Sequence, residues 1–149
     1  MHLLIATRNP HKLSEIKSIL ALPGLYLLGA DECEGLPADV DEDADTFEGN
    51  ALKKARTLCQ ASGLWTVADD SGLEVRALNG APGVYSARFA GPCADDGANN
   101  RKLLRALRGV ADRTANFRCV LALCAPDGRH WVVEGRCEGR IAERPEGSG

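Results

Sequence analysis

Early in the chain, short apolar runs of strand length alternate with helix-length stretches that carry an apolar stripe. That alternation limits the fold more than any other feature of the sequence. His2 to Ala6 leads into Asn9-Pro10, where asparagine suits a helix N-cap and proline the first helical position. Leu13, Ile16 and Leu20, with Ile19 alongside, give the i, i+3, i+7 stripe of a helix that stops before Pro23-Gly24. Leu25 to Leu28 reads as a second strand. Thr46 opens a longer helix with Phe47, Ala51, Ala55, Leu58 and Cys59 on one face, and Gly63 stands where a C-terminal glycine ends a helix. Leu64 to Ala68 is a third strand-like run, closed by Asp69-Asp70-Ser71-Gly72.

The second half changes character. Leu73 to Leu78 alternates and Asn79-Gly80 marks a turn, which predicts a hairpin whose return arm includes Val84 to Phe89. Asp95 to Leu107 is an amphipathic helix built on Leu103, Leu104 and Leu107. Phe117 to Ala125 and Trp131 to Cys137 read as strands joined through Pro126-Asp127-Gly128. Strand–helix units early and hairpins late predict an α/β fold with a mixed sheet. No repeat, low-complexity tract or linker interrupts the 149 residues, so one domain over 1–149 is expected, of a size that buries roughly two-thirds of its unfolded surface.

Charge and hydropathy exclude several classes. The stretch from Ile19 to Ala30 is uncharged, but Pro23-Gly24 breaks it and it falls short of the ~20 apolar residues of a membrane span. The N-terminus lacks the charge order and apolar length of a secretory signal. Eighteen Lys and Arg against 21 Asp and Glu provide no positive excess, so neither nucleic acid nor an anionic membrane is an expected partner. Any bound anion must be met by local groups. The six cysteines are scattered with no C-x-x-C spacing, which points to buried or half-buried thiols in a reducing cytoplasm, with a zinc site or disulfide framework as the alternative.

Five segments bear chemistry. Lys12 falls in the first turn of its helix, where a cation is favourable only beside a bound anion, and Thr7 and Asn9 can reach phosphate oxygens. The plainer reading is a cap with a solvated lysine. Asp39, Asp41, Glu42, Asp43 and Asp45 crowd before Thr46, either as a helix-capping acidic loop or with one carboxylate as ligand to a hard cation such as Mg²⁺. Asp69-Asp70 follows an apolar strand, where open α/β sheets place their ligands, and two such acids need a cation beside them unless both are solvated in a turn. Asn50 and Lys54 are four apart and so share a helix face. Gly80 to Arg88 brings Tyr85, Ser86 and Arg88 to a fixed turn, either as a substrate wall or as a hairpin corner with Tyr85 in the core.

In this order the segments resemble one family, the inosine triphosphate pyrophosphatases (dITP/XTP or non-canonical purine NTP pyrophosphatases). The matching stretches are Ile5-Ala6-Thr7-Arg8-Asn9 through Lys12, Thr46 to Ala55, Ala68-Asp69-Asp70-Ser71-Gly72-Leu73 and Gly80 to Arg88. The last two are the most specific. The resemblance implies a long mixed β-sheet flanked by helices in two lobes around a central cleft, and a homodimer. It also implies hydrolysis of ITP, dITP or XTP to the monophosphate and pyrophosphate with Mg²⁺.

By the same resemblance, Thr7, Arg8, Asn9 and Lys12 form a triphosphate loop, although the family often has a small residue at the position of Arg8. Asn50 and Ser71 contact substrate. Glu42 and Asp70 hold the metal, and Asp70, Asp69 and Lys54 are the catalytic residues, with Asp70 as general base. The family's base-recognition segment, which begins Phe-Gly-Tyr-Asp, has no counterpart up to Gly149. The alternative expectation is therefore a chain that binds triphosphate and Mg²⁺ without turnover.

Overall fold

The computed structural model describes residues 1–7, 10–37, 44–91 and 95–143. Five strands and three helices are formed by β1 (His2–Ile5), α1 (Pro10–Ile19), β2 (Tyr26–Gly29), α2 (Phe47–Ser62), β3 (Trp65–Val75), α3 (Asp96–Ala106), β4 (Thr114–Cys124) and β5 (His130–Arg140). They make one sheet in the order β2-β1-β3-β4-β5. β1 runs parallel to both β2 and β3, with Ile5 beside Gly29 on one side and Val67 on the other. β4 and β5 are neighbours linked by a turn in which Gly128 N donates to Ala125 O at 3.0 Å. So short a link permits only antiparallel pairing. The sheet is thus mixed, as the alternation predicts.

The chain divides into two compact units, one made of Met1–Asp70 and Val120–Glu134, the other of Ser71–Cys119 and Gly135–Gly149. In the first, Leu3, Ile5 and Val67 form a buried core, and Leu13, Ile16 and Leu20 pack against it from the α1 side. Ile19 is the exception to the predicted stripe. It is 71% exposed, because the helix ends there and its apolar face is already filled by the other three. The inner face of α2 buries Phe47, Ala51, Ala55, Leu58 and Cys59, with both alanines fully covered. Thr46 caps this helix by accepting from Gly49 N at 3.0 Å, and Gly63 ends it in the left-handed conformation at φ 70°. A Cβ on Gly49 would lie 2.8 Å from that of Ala44, so the close approach of this segment to the helix needs glycine.

Two thiols sit inside the first unit. Cys59 Sγ donates to Cys124 O at 3.7 Å, and burial pushes both thiols above the ordinary range. The expectation of covered cysteines fails at Cys137, which is exposed on β5, while Cys93 lies outside the described residues. On the surface of the same unit Trp65 and Trp131 stack at 5.8 Å between ring centroids, with the Arg129 guanidinium over both rings.

In the second unit Val75, Leu103, Leu107 and Ala115 form the core. α3 begins at an Asp95 cap that accepts from Ala98 N at 2.7 Å. Buried Asn99 holds the helix to the preceding loop by accepting from Ala90 N at 2.8 Å. The predicted return strand over Val84 to Phe89 is absent, and a 3-10 helix occupies Gly83–Arg88. The pairing is replaced by a side chain. Ser86 Oγ accepts from Leu73 N at 2.9 Å and donates to Gly83 O at 2.6 Å, so the serine meets the backbone donor that a return strand would have met. Pro82, which has no N–H, keeps only an isolated bridge to Glu74. Among the described residues no helix is long and apolar enough to cross a membrane.

Candidate active site

Asp69 and Asp70 do not close a strand, as their Ser-Gly sequel suggests. β3 continues through them for five more residues to Val75. It is the neighbour that ends. β1 stops at Ile5, level with Val67, and Ala6 N donates to Val67 O at 2.8 Å before the chain turns away at Thr7. The two acids therefore stand just beyond the carboxyl end of β1, on a strand that is itself interior to the sheet. That is where a parallel sheet opens toward a ligand.

Both acids are buried, at 6% exposure for Asp69 and 9% for Asp70. Burying a carboxylate is costly unless cations and donors offset it. Two lysines from separate helices do so. Lys12, in the first turn of α1, donates from Nζ to Asp69 Oδ2 at 2.9 Å. Lys54, two turns into α2, donates from Nζ to the Asp69 backbone carbonyl at 3.1 Å. Lys12 retains 42% side-chain exposure, against 7% for the Asp69 side chain. Its ammonium group thus joins a buried acid to solvent. A cation at the start of α1, unfavourable to the helix dipole alone, is offset here by Asp69.

Asn50 lies one turn before Lys54 and is fully buried. Its Oδ1 accepts from Ala44 N at 2.8 Å, tying the approach segment to α2, while its Nδ2 has no hydrogen-bond partner among the described residues. Thr7 is half-buried at the exit of β1, with its N–H donated to Ile5 O at 2.8 Å. Ser71 is next along β3 and half-buried. Arg8, Asn9 and Glu42 lie outside the described residues, as do Asp39, Asp41 and Asp43.

The structure thus brings Lys12 and Lys54 to Asp69, with Asp70 the next residue of β3. Tyr85 is 53% exposed, which rules out the core position considered for it. Sequence reasoning missed that Asp69 is the meeting point of both lysines. One contact spans 57 residues and the other ends on a backbone carbonyl. Only the β1–β3 register could have pointed to the first.

The profile of the Ham1 family matches residues 3–149. The chain belongs to the Ham1 family. The dITP/XTP pyrophosphatase of Desulforamulus reducens is 49% identical over 100% of this chain and 75% of that protein. The dITP/XTP pyrophosphatase of Streptomyces coelicolor is 50% identical over 99% of this chain and 75% of that protein. Among solved structures, a HAM1 protein from Coxiella burnetii superposes with a TM-score of 0.91 at 37% identity, covering 100% of this chain and 77% of the other. A nucleoside-triphosphatase / dITP/XTP pyrophosphatase from Mycobacterium abscessus superposes with a TM-score of 0.86 at 44% identity, covering 99% and 78%. These Ham1 relatives share the α/β fold on which the buried acids and their lysines are mounted.

Proposed function

We propose that this Ham1 chain hydrolyses non-canonical purine nucleoside triphosphates (ITP, dITP, XTP) to the monophosphate and pyrophosphate. The observation that carries the reading is the convergence of two lysines on buried Asp69, next to buried Asp70, beside the end of a parallel strand. Relatives at about half identity bear the name of that activity.

A polyphosphate is a dense, hard anion, and Lys12 and Lys54 supply the positive charge that holds it and offsets the charge that grows at reaction. Asp69 is a positioning residue, since it fixes Lys12 through its carboxylate and Lys54 through its carbonyl. Asp70 acts as general base. A water attacks phosphorus, gives its proton to the Asp70 carboxylate, and the bond between the α- and β-phosphates breaks with pyrophosphate leaving.

The donor set suits Mg²⁺. Asp70 offers a hard carboxylate with a buried Oδ2, and Mg²⁺ takes one or two carboxylates with phosphate oxygens and water. Glu42, which the family resemblance gives as a metal ligand, is the candidate second carboxylate. The ion, when bound, would neutralise phosphate charge. We place the enzyme in the cytoplasm as a homodimer.

The test is pyrophosphate release from ITP, XTP, dITP, ATP and GTP, with and without Mg²⁺, on this chain and on Asp70→Asn. Release from the first three alone, dependent on Mg²⁺ and abolished in the variant, is the expected result. Binding of ITP without release would establish the non-catalytic alternative, and undiminished turnover in Asp70→Asn would remove that residue from the mechanism.

A further inference from the structure

Asn50 is fully buried in the opening turn of α2, although nothing in the helix itself calls for it. Asparagine is a poor helix former, and an amide taken out of water costs free energy unless it is paired. Thr46 already caps the helix through Gly49 N, and Asn50 gives its own backbone N–H to Thr46 O at 3.1 Å, as any residue there would. The bond its side chain makes lies outside the helix. Oδ1 accepts from Ala44 N at 2.8 Å, six residues back along the chain.

A second, independent feature holds the same point. Gly49 leaves the room that Ala44 occupies, since a Cβ on it would stand 2.8 Å from Ala44 Cβ and 3.0 Å from Thr46 Oγ1. Ala44 is thus fixed twice, by a hydrogen bond and by the shape of the helix surface. It lies between Asp43 and Asp45 in the sequence, and Glu42 stands two places before it. A residue two places away along a chain is within about 7 Å. Fixing Ala44 therefore tethers the carboxylates that flank it. One turn beyond Asn50, Lys54 Nζ reaches Asp69 O at 3.1 Å. The same stretch of α2 carries both the hold on the acidic approach and a cation of the site.

We propose that Asn50 is a positioning residue for the reaction: through Ala44 it sets where the acidic approach to α2 presents its carboxylates, and it does not act by touching substrate. The proposal rests on the pyrophosphatase reading and deepens it. Full burial keeps the amide away from a triphosphate. Mg²⁺ demands close placement of its oxygen ligands, so a displaced approach segment weakens cation binding, while Lys12 and Lys54 keep their hold on phosphate.

Three variants decide it, read by amide hydrogen exchange and by Mg²⁺ titration in the presence of the α,β-methylene analogue of ITP, neither of which uses turnover. Asn50→Leu keeps the side-chain volume and removes the acceptor. It should speed exchange of the Ala44 amide about tenfold or more as that bond is lost. It should also raise the Mg²⁺ dissociation constant by about 10–100-fold, the usual effect of losing an outer-shell partner, with the KM for ITP at saturating Mg²⁺ unchanged. Asn50→Asp keeps an oxygen for Ala44 N and should restore both readouts. Gly49→Ala leaves Asn50 intact and favours the helix, yet should reproduce the weakened Mg²⁺ binding. Unchanged exchange at Ala44 in Asn50→Leu, a lower Tm with parental Mg²⁺ affinity, or parental Mg²⁺ affinity in Gly49→Ala would each overturn the proposal. Failure of the functional reading shows differently, as a parent chain that releases no pyrophosphate from ITP, and takes the proposal with it.

Discussion

Eleven residues of β3 and eleven of β5 belong to one sheet, yet β3 carries two aspartates inside the protein while β5 carries Trp131, Val132 and Val133 on its outside. Composition predicts the reverse. The difference comes from place, because β3 has a strand on each side and, among the described residues, β5 has only β4. The middle of β3 is buried from Thr66 to Asp70, and its acids are tolerable because Lys12 and Lys54 reach Asp69. An edge strand can leave valines in water at little cost, since much of any protein surface is apolar. Burial of a polar group is therefore the more informative departure, and here it coincides with the candidate site.

The largest test of this contrast is chemical. Asp70→Asn should lower pyrophosphate release from ITP by roughly 10²–10⁴-fold, the usual worth of a general base, with the far-ultraviolet circular dichroism unchanged. Lys54→Ala should follow with a loss of about 10²-fold in kcat/KM, since a cation aimed at developing phosphate charge is removed. A variant with full activity would show that the buried acids are only structural.

Stability should separate the strands next. Val75→Ala in β3, at a fully buried position, should cost about 2 kcal/mol by urea denaturation. Val133→Ala in β5, at 61% exposure, should stay within about 0.5 kcal/mol of the parent. Equal costs would mean that Val133 is covered in solution.

The smallest effect is in the thiols. Cys137 should react with a disulfide reagent first, and Cys59 and Cys124 last, because burial both shields them and raises their pKa. The folded protein holds these two protons more tightly than the unfolded chain does. Stability is therefore unaffected below the ordinary thiol range and declines as the pH rises through and above it, which denaturation at stepped alkaline pH would detect.

Much of the first unit was legible in its sequence because the signals are local. Thr46 and Gly63 bound α2 as expected, each through its own backbone geometry. The Pro126-Asp127-Gly128 turn joins β4 to β5, with the Asp127 carboxyl lowered by the N–H of Arg129. What stayed hidden depends on distant neighbours. Ser71-Gly72 looks like a turn to any local rule, but an interior strand continues through it. The arm over Val84 to Phe89 has strand-like composition, yet Ser86 Oγ already meets the N–H of Leu73. The candidate site was legible as a set of residue types. Its arrangement around Asp69 was not, because one of the two key acceptors is a main-chain oxygen.

Mounting Asp69 and Asp70 in the body of β3 rather than on a loop divides the labour of accommodating a substrate. The carboxylates ride on a rigid backbone and cannot travel without deforming the sheet. Lys12, on a flexible four-carbon stem that is 42% open to solvent, can pivot. Adjustment to phosphate groups of differing length or tilt thus falls to the cations, with the acids serving as the immobile reference.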